Sequence, residues 1–115
     1  QKLPGLSKLT SLEELRFGND FNKILEDMSQ LKSLRLLEFG NDFDQKLPGL
    51  SKLTSLEELR FGNDFNKILE DMSQLKSLRS LMFGSKFEKK FPDLTMLGNL
   101  TSDKMFGYVK ISIQP

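Results

Sequence analysis

Leu34-Arg35-Leu36-Leu37-Glu38-Phe39-Gly40-Asn41-Asp42-Phe43 is the stretch that decides the architecture. It returns at Leu12 to Phe21, at Leu56 to Phe65 and at Leu78 to Phe87, each time 22 residues on. Leu, Leu and Phe hold the first, fourth and sixth places, Gly follows, and a second Phe closes the block. A fixed period of this size marks a stacked-repeat chain. One unit is too small to bury its apolar face, so neighbours must stack and build a continuous core.

Outward from this block, the repeat is itself doubled. Residues 1–35 are identical to residues 45–79, and over the whole 44-residue unit only five positions differ. These are Leu36 against Ser80, Glu38 against Met82, Asn41 against Ser85, Asp42 against Lys86 and Asp44 against Glu88. Point drift erodes such identity, so it implies a very recent duplication or a sequence built by design, and design is the expectation here. Gln1 falls in mid-repeat, as expected of a trimmed chain or a fragment.

A helical reading of the repeat fails on its spacing. Leu3, Leu6, Leu9, Leu12 and Leu15 step by strict threes. On an α-helix of about 3.6 residues per turn such a stripe drifts around the barrel. Ser11 with Glu14 resembles a capping box, but Gly18 and Asn19 would end that helix after about two turns. A short strand, a turn and a loose or 3₁₀ segment suit a three-residue spacing better.

The pattern Leu-x-x-Leu-x-Phe-Gly-Asn-Asp-Phe resembles the leucine-rich repeat. More narrowly it is similar to the FNIP repeat, a 22-residue relative with a Phe-Asn pair after the strand, matched here by Phe21-Asn22-Lys23-Ile24 and Phe65-Asn66-Lys67-Ile68. Phe43-Asp44 and Phe87-Glu88 match it in part, Asp20, Asp42 and Asp64 stand where the general signature has Asn, and the Pro after Ile is absent. The resemblance covers residues 1–98. It implies an α/β solenoid with a parallel sheet of short strands on a concave face and loop, 3₁₀ or short helical segments on the convex face. It also implies that the concave face binds protein.

Stacking places residues 22 apart in columns, with strands about 4.8 Å from one another. Leu12, Leu34, Leu56 and Leu78 form one column, and Leu15, Leu37, Leu59 and Leu81 a second. Phe17, Phe39, Phe61 and Phe83 form a third, and Phe21, Phe43, Phe65 and Phe87 a fourth. Eight of the ten phenylalanines fall in these two columns, which argues for packed rings and against an aromatic cage for a ligand. Gly18, Gly40, Gly62 and Gly84 follow each strand and are expected to supply a positive-φ turn. Gly-Asn-Asp lacks the Gly-Lys-Ser/Thr context of a phosphate loop.

Side chains alternating with the core are expected on the outer, concave face. One column is Glu14, Leu36, Glu58 and Ser80, and the next is Arg16, Glu38, Arg60 and Met82. Arg16, Glu38 and Arg60 would form a ladder of alternating sign, each pair worth about 0.2–1 kcal/mol. These eight residues are the candidate partner-binding set, with Leu36 and Met82 as exposed apolar anchors. The alternative is a solvated face whose charges keep the sheet in solution.

Asp20, Asp42 and Asp64 form an acidic column about 5 Å apart. Each carboxylate is expected to accept backbone N–H bonds in its own turn. A cation bridging adjacent turns is the sharper alternative, and no metal site is assigned. Lys86 ends the column and is placed to neutralise Asp64.

Composition narrows the function. There are 17 basic and 16 acidic residues, a net charge of +1, so no global field favours nucleic acid or anionic lipid. Cys and His are both absent, which removes disulfides, thiolate sites, the commonest general base and the commonest metal ligand. No run approaches the roughly 18 apolar residues of a membrane span, and no signal peptide opens the chain. The Asp column with Glu14, Glu38 and Glu58 is the only support for an enzyme or a metal-dependent module. Each is repeated, whereas an active site sets individual groups apart. A non-enzymatic scaffold for protein–protein interaction or self-assembly is expected, without a cofactor. The alternatives are a natural fragment binding a partner through the concave sheet and a purely structural design.

Two ends remain. Residues 99–115 read as a divergent terminal repeat plus a capping edge strand, because Asp103 falls where a core Leu is due and Met105-Phe106 are out of register. Tyr108 to Ile113 alternate with Val109, Ile111 and Ile113 on one face. At the other end Leu3, Leu6, Leu9 and Leu12 are expected to form an uncovered apolar edge, open to a homodimer joining two N-terminal ends.

Overall fold

The computed structural model describes residues 2–3, 5–105 and 107–114. Strands are short because each is cut from both sides. In every unit the residues before the strand carry leucines three apart, and these close successive i to i+3 turns. The Leu9 amide donates to the Leu6 carbonyl at 3.1 Å and the Leu12 amide to Leu9 at 3.1 Å; Leu53, Leu56, Leu75 and Leu78 repeat the pattern at 3.0–3.1 Å. This is the hydrogen-bonding habit that a three-residue leucine spacing selects. Leu6–Lys8, Leu50–Lys52 and Thr95–Leu97 complete full 3₁₀ turns. In the alternate units, which carry Glu-Asp-Met-Ser at residues 26–29 and 70–73, the turn opens on Asp27 and Asp71, whose carboxylates accept from the amides of Ser29 at 2.9 Å and Ser73 at 3.0 Å.

The strands are β1 (Lys2–Leu3), β2 (Glu14–Arg16), β3 (Ile24–Leu25), β4 (Leu36–Glu38), β5 (Glu58–Arg60), β6 (Ser80–Phe83), β7 (Asn99–Met105) and β8 (Tyr108–Gln114). They form a six-stranded mixed sheet of order β2-β4-β5-β6-β8-β7, and β1 and β3 form a separate parallel pair. The class is a mixed sheet combined with short helical segments, with no closed barrel. Leu15 pairs with Leu37, Leu37 with Leu59 and Leu59 with Leu81, so each parallel step is one 22-residue interval. The columns read from the sequence are the register of the sheet.

Leu34, Leu37, Leu56, Leu59 and Leu81 are fully buried, as are Phe43, Phe65 and Phe83. Behind the strands the phenyl rings stack in two columns. Within a turn the two rings lie 3.8–4.2 Å apart between centroids. From turn to turn they lie 5.1–6.1 Å apart. Near-parallel stacking at the turn-to-turn distances adds about 0.5–1.5 kcal/mol per pair to the area buried. Phe91 extends both columns, tilted at 5.4 Å from Phe83 and from Phe87.

The glycine expectation is corrected. Among the described residues the positive-φ glycines are Gly5, Gly49, Gly98 and Gly107. Gly18, Gly40, Gly62 and Gly84 are not among them. What requires three of these four is the turn stacked beneath. A Cβ on Gly40 would lie 2.6 Å from the Gly18 carbonyl oxygen, and one on Gly62 or Gly84 would strike the carbonyl of Gly40 or Gly62.

At the C-terminal end Asn99–Met105 is a seven-residue strand and not a further turn of the repeat. It forms a hairpin with β8, and β8 pairs antiparallel with β6, so β7 is the outermost strand. The alternation of β8 holds: Ile111, opposite Leu81, and Ile113 are buried, with Val109 half-buried against the core. Phe106 lies outside the described residues.

Candidate functional site

The sheet's outer face gathers the eight expected residues into two columns by backbone register. Glu14, Leu36, Glu58 and Ser80 stand opposite one another in sequence, as do Arg16, Glu38, Arg60 and Met82. The hairpin extends both rows with residues not anticipated from the sequence. Ser80 faces Ser112 and then Thr101, and Met82 faces Lys110 and then Asp103. Only the antiparallel hairpin brings them there, and no 22-residue spacing announces it.

Arg60 is the centre of this face. Its Nη1 lies 3.3 Å from Glu38 Oε1 and its Nη2 lies 3.2 Å from Glu58 Oε2, while its Nε is buried without a partner among the described residues. Arg16 departs from the expected ladder: it reaches Glu14 in its own strand at 2.9 Å. The Arg16–Glu14 pair is exposed and the Arg60 pairs half-exposed, which holds each to about 0–1 kcal/mol.

Two expected positions are corrected. Leu36 is only 7% exposed, because β4 is flanked on both sides and the register sets Leu36 between Glu14 and Glu58. Ser80 is buried as well, beneath the pairing of β6 with β8. Of the two intended anchors, Met82 alone keeps partial exposure.

The N-terminal set also divides. Leu6 is buried at the start of its 3₁₀ turn, Leu9 is 49% exposed and Leu12 is half-buried. The backbone of Leu3 belongs to β1, and its side chain lies outside the described residues.

On the flank before the strands runs a ladder that the sequence reading missed. Arg35 Nε lies 2.9 Å from Glu57 Oε2 and Arg35 Nη1 lies 3.5 Å from Glu13 Oε1. Arg79 Nη1 follows at 3.6 Å from Glu57 Oε1. The hydrogen bond and charge of Glu57, with Glu13 behind it, raise the Arg35 guanidinium above its ordinary range. Glu13, Arg35, Glu57 and Arg79 alternate in sign at the repeat interval, so the signal was present one place before the strand.

The acidic column behaves differently from expectation. Among the described residues the carboxylates of Asp20, Asp42 and Asp64 accept no backbone N–H, and Asp64 pairs with Lys86 Nζ at 3.1 Å. The interlocking lies two residues on. The Asp44 amide donates to Asn22 Oδ1 at 2.8 Å, Asn66 to Asp44 Oδ1 at 2.9 Å and Glu88 to Asn66 Oδ1 at 2.8 Å. Those side chains tie each turn to the next. Among the described residues no cluster of three or more acidic groups is arranged to hold a metal ion. At the last 3₁₀ turn the hydroxyl and amide of Thr95, at 2.7 and 3.0 Å, hold Asp93 below the usual carboxylate range.

No protein-family model, curated protein or solved structure matches this chain.

Proposed function

We propose that the chain is a solenoid of the leucine-rich-repeat kind, of FNIP type and built by design, and that it is a non-enzymatic scaffold for protein–protein interaction. The observation that carries this reading is the constant 22-residue register of β2, β4, β5 and β6. It builds an apolar interior from one set of alternating residues and turns Glu14, Arg16, Glu38, Glu58 and Arg60 of the other set outward as paired charge. Such a face offers a protein partner Arg60, its two glutamates and half-exposed Met82, with Lys110 and Asp103 continuing the row. The three glutamates on it are each engaged in an ion pair with Arg16 or Arg60, which supports recognition over catalysis.

The stacking part is tested by adding a unit. A second copy of residues 23–66 inserted after Asn66 reproduces the native Asn-Lys joins on both sides. Each added unit contributes its own stability and an interface, so Tm should rise by roughly 5 °C or more in a single cooperative transition. A lower Tm, or a separate melting step for the insert, refutes the stacking. The interaction part is tested in sedimentation at tens of micromolar. A scaffold that associates with itself gives a mass above 13.2 kDa that grows with concentration. A constant 13.2 kDa removes self-assembly and leaves a different protein as the partner.

A further inference from the structure

Because residues 1–35 and 45–79 are identical, the chain contains the same stacking surface twice, once covered and once open. Leu53, Leu56, Leu59 and Phe65 are fully buried. Their counterparts Leu12, Leu15 and Phe21 are half-buried, and Leu9 is 49% exposed. Nothing in the local sequence differs, so the difference is the turn beneath. Residues 45–65 stack on residues 23–43, and no described turn stacks on residues 5–21.

The backbone repeats the contrast. The amides of Glu57 and Glu58 donate to the Arg35 carbonyl at 2.8 and 3.0 Å, and that of Asp64 donates to the Asn41 carbonyl at 3.0 Å. The matching amides of Glu13, Glu14 and Asp20 meet no acceptor among the described residues. A Cβ on Gly62 would strike the Gly40 carbonyl, while one on Gly18 meets nothing within 4 Å. β2 thus presents an unpaired edge whose spacing, donors and clearance match those of an edge already filled elsewhere in the molecule.

We propose that the open face from Leu9 to Phe21 docks a strand-bearing segment of the residue 22–44 type, added to β2 in parallel register. The inference rests on the repeat-stacking reading above. The occupant follows from identity: a receiving surface made of the same residues takes the same complement. Its Arg35-type carbonyl accepts from the amides of Glu13 and Glu14, its Leu37 seats on Leu15, and its Phe39 and Phe43 stack on Phe17 and Phe21. Its Asp44 accepts from the Asn22 amide, as Asp44 does from Asn66 at 2.9 Å within the chain. Strand addition of this kind draws affinity from main-chain bonds and selectivity from alternate side chains.

The test adds a synthetic peptide of residues 22–44 to the full chain and follows Tm and sedimentation. Binding raises Tm with peptide concentration to saturation. Gly18→Ala raises the Tm of the free chain slightly and weakens the peptide by about tenfold or more, since the new methyl meets the incoming carbonyl. A peptide carrying Phe39→Ala and Phe43→Ala is weakened at least as much. The proposal is overturned if Tm does not move at hundreds of micromolar peptide, or if binding is indifferent to Gly18→Ala. It is also overturned by a species of twice 13.2 kDa that the peptide does not displace, which means that a second copy takes the face. Any of these results leaves the inserted-unit experiment standing, so the two readings fail separately.

Discussion

Phe65→Ala is expected to remove about 3–5 kcal/mol of folding stability, and Phe21→Ala less than half of that. The two residues lie at the same place in identical stretches, and only their surroundings differ. Phe65 is fully buried, with its ring 3.8 Å from Phe61 and about 6 Å from rings above and below, Phe43 at 6.1 Å and Phe87 at 6.0 Å. Phe21 is half-buried and has Phe17 at 4.2 Å and Phe43 at 6.1 Å, with no ring beneath it among the described residues. Removing Phe65 leaves a cavity walled by aromatic rings fixed in their own columns, which cannot collapse to fill it. Removing Phe21 leaves a dent open to water. Against a total of about 5–15 kcal/mol for a domain of ordinary stability, the first change brings the chain close to unfolding. Urea denaturation of the pair decides the matter. Equal shifts in midpoint would mean that the ring column does not supply the cohesion assigned to it.

What the sequence made legible, and what it did not, follows from whether a feature repeats. A 22-residue interval becomes strand register directly, so the columns of Leu37 with Leu59 and Phe39 with Phe61 were readable before any coordinates. Exposure was less so. Alternation sends Leu36 to the outer face, yet it does not say that its strand is an inner one, flanked by β2 and β5, or that Leu36 is buried there. The Glu13, Arg35, Glu57 and Arg79 ladder is written in the same interval but lies one place before the strand, off the face that alternation defines. Two further features depend on contacts that no spacing encodes. The hairpin of β7 and β8 belongs to a segment without a repeat, so the arrival of Lys110 beside Met82 had no counterpart elsewhere in the chain. The role of the glycines after each strand reads locally as a turn requirement, whereas it arises from the backbone of a neighbouring turn.

That neighbour gives the second large effect, and here the sign itself changes between equivalent sites. Gly62→Ala is expected to destabilise by about 1–3 kcal/mol or more, the cost of forcing atoms into a packed interior. The methyl would run into the Gly40 carbonyl, its carbon and the Asn41 Cα, all of them backbone atoms, so no rotamer change relieves the clash. Relief requires the two turns to separate, and that weakens the Asp64-to-Asn41 hydrogen bond of 3.0 Å and the Phe39–Phe61 stack at 5.7 Å together. Gly18→Ala has no such obstacle, because its Cβ position is clear for 4 Å. Gly18 is not among the positive-φ glycines, so alanine at that site costs no left-handed strain. It restricts the unfolded chain instead and is expected to stabilise by about 0.4–1 kcal/mol. Thermal melts of the two variants should therefore move in opposite directions from the parent. Two changes of the same sign would show that the glycines answer a demand of the local turn, and the close approach of stacked turns would lose its claim to explain them.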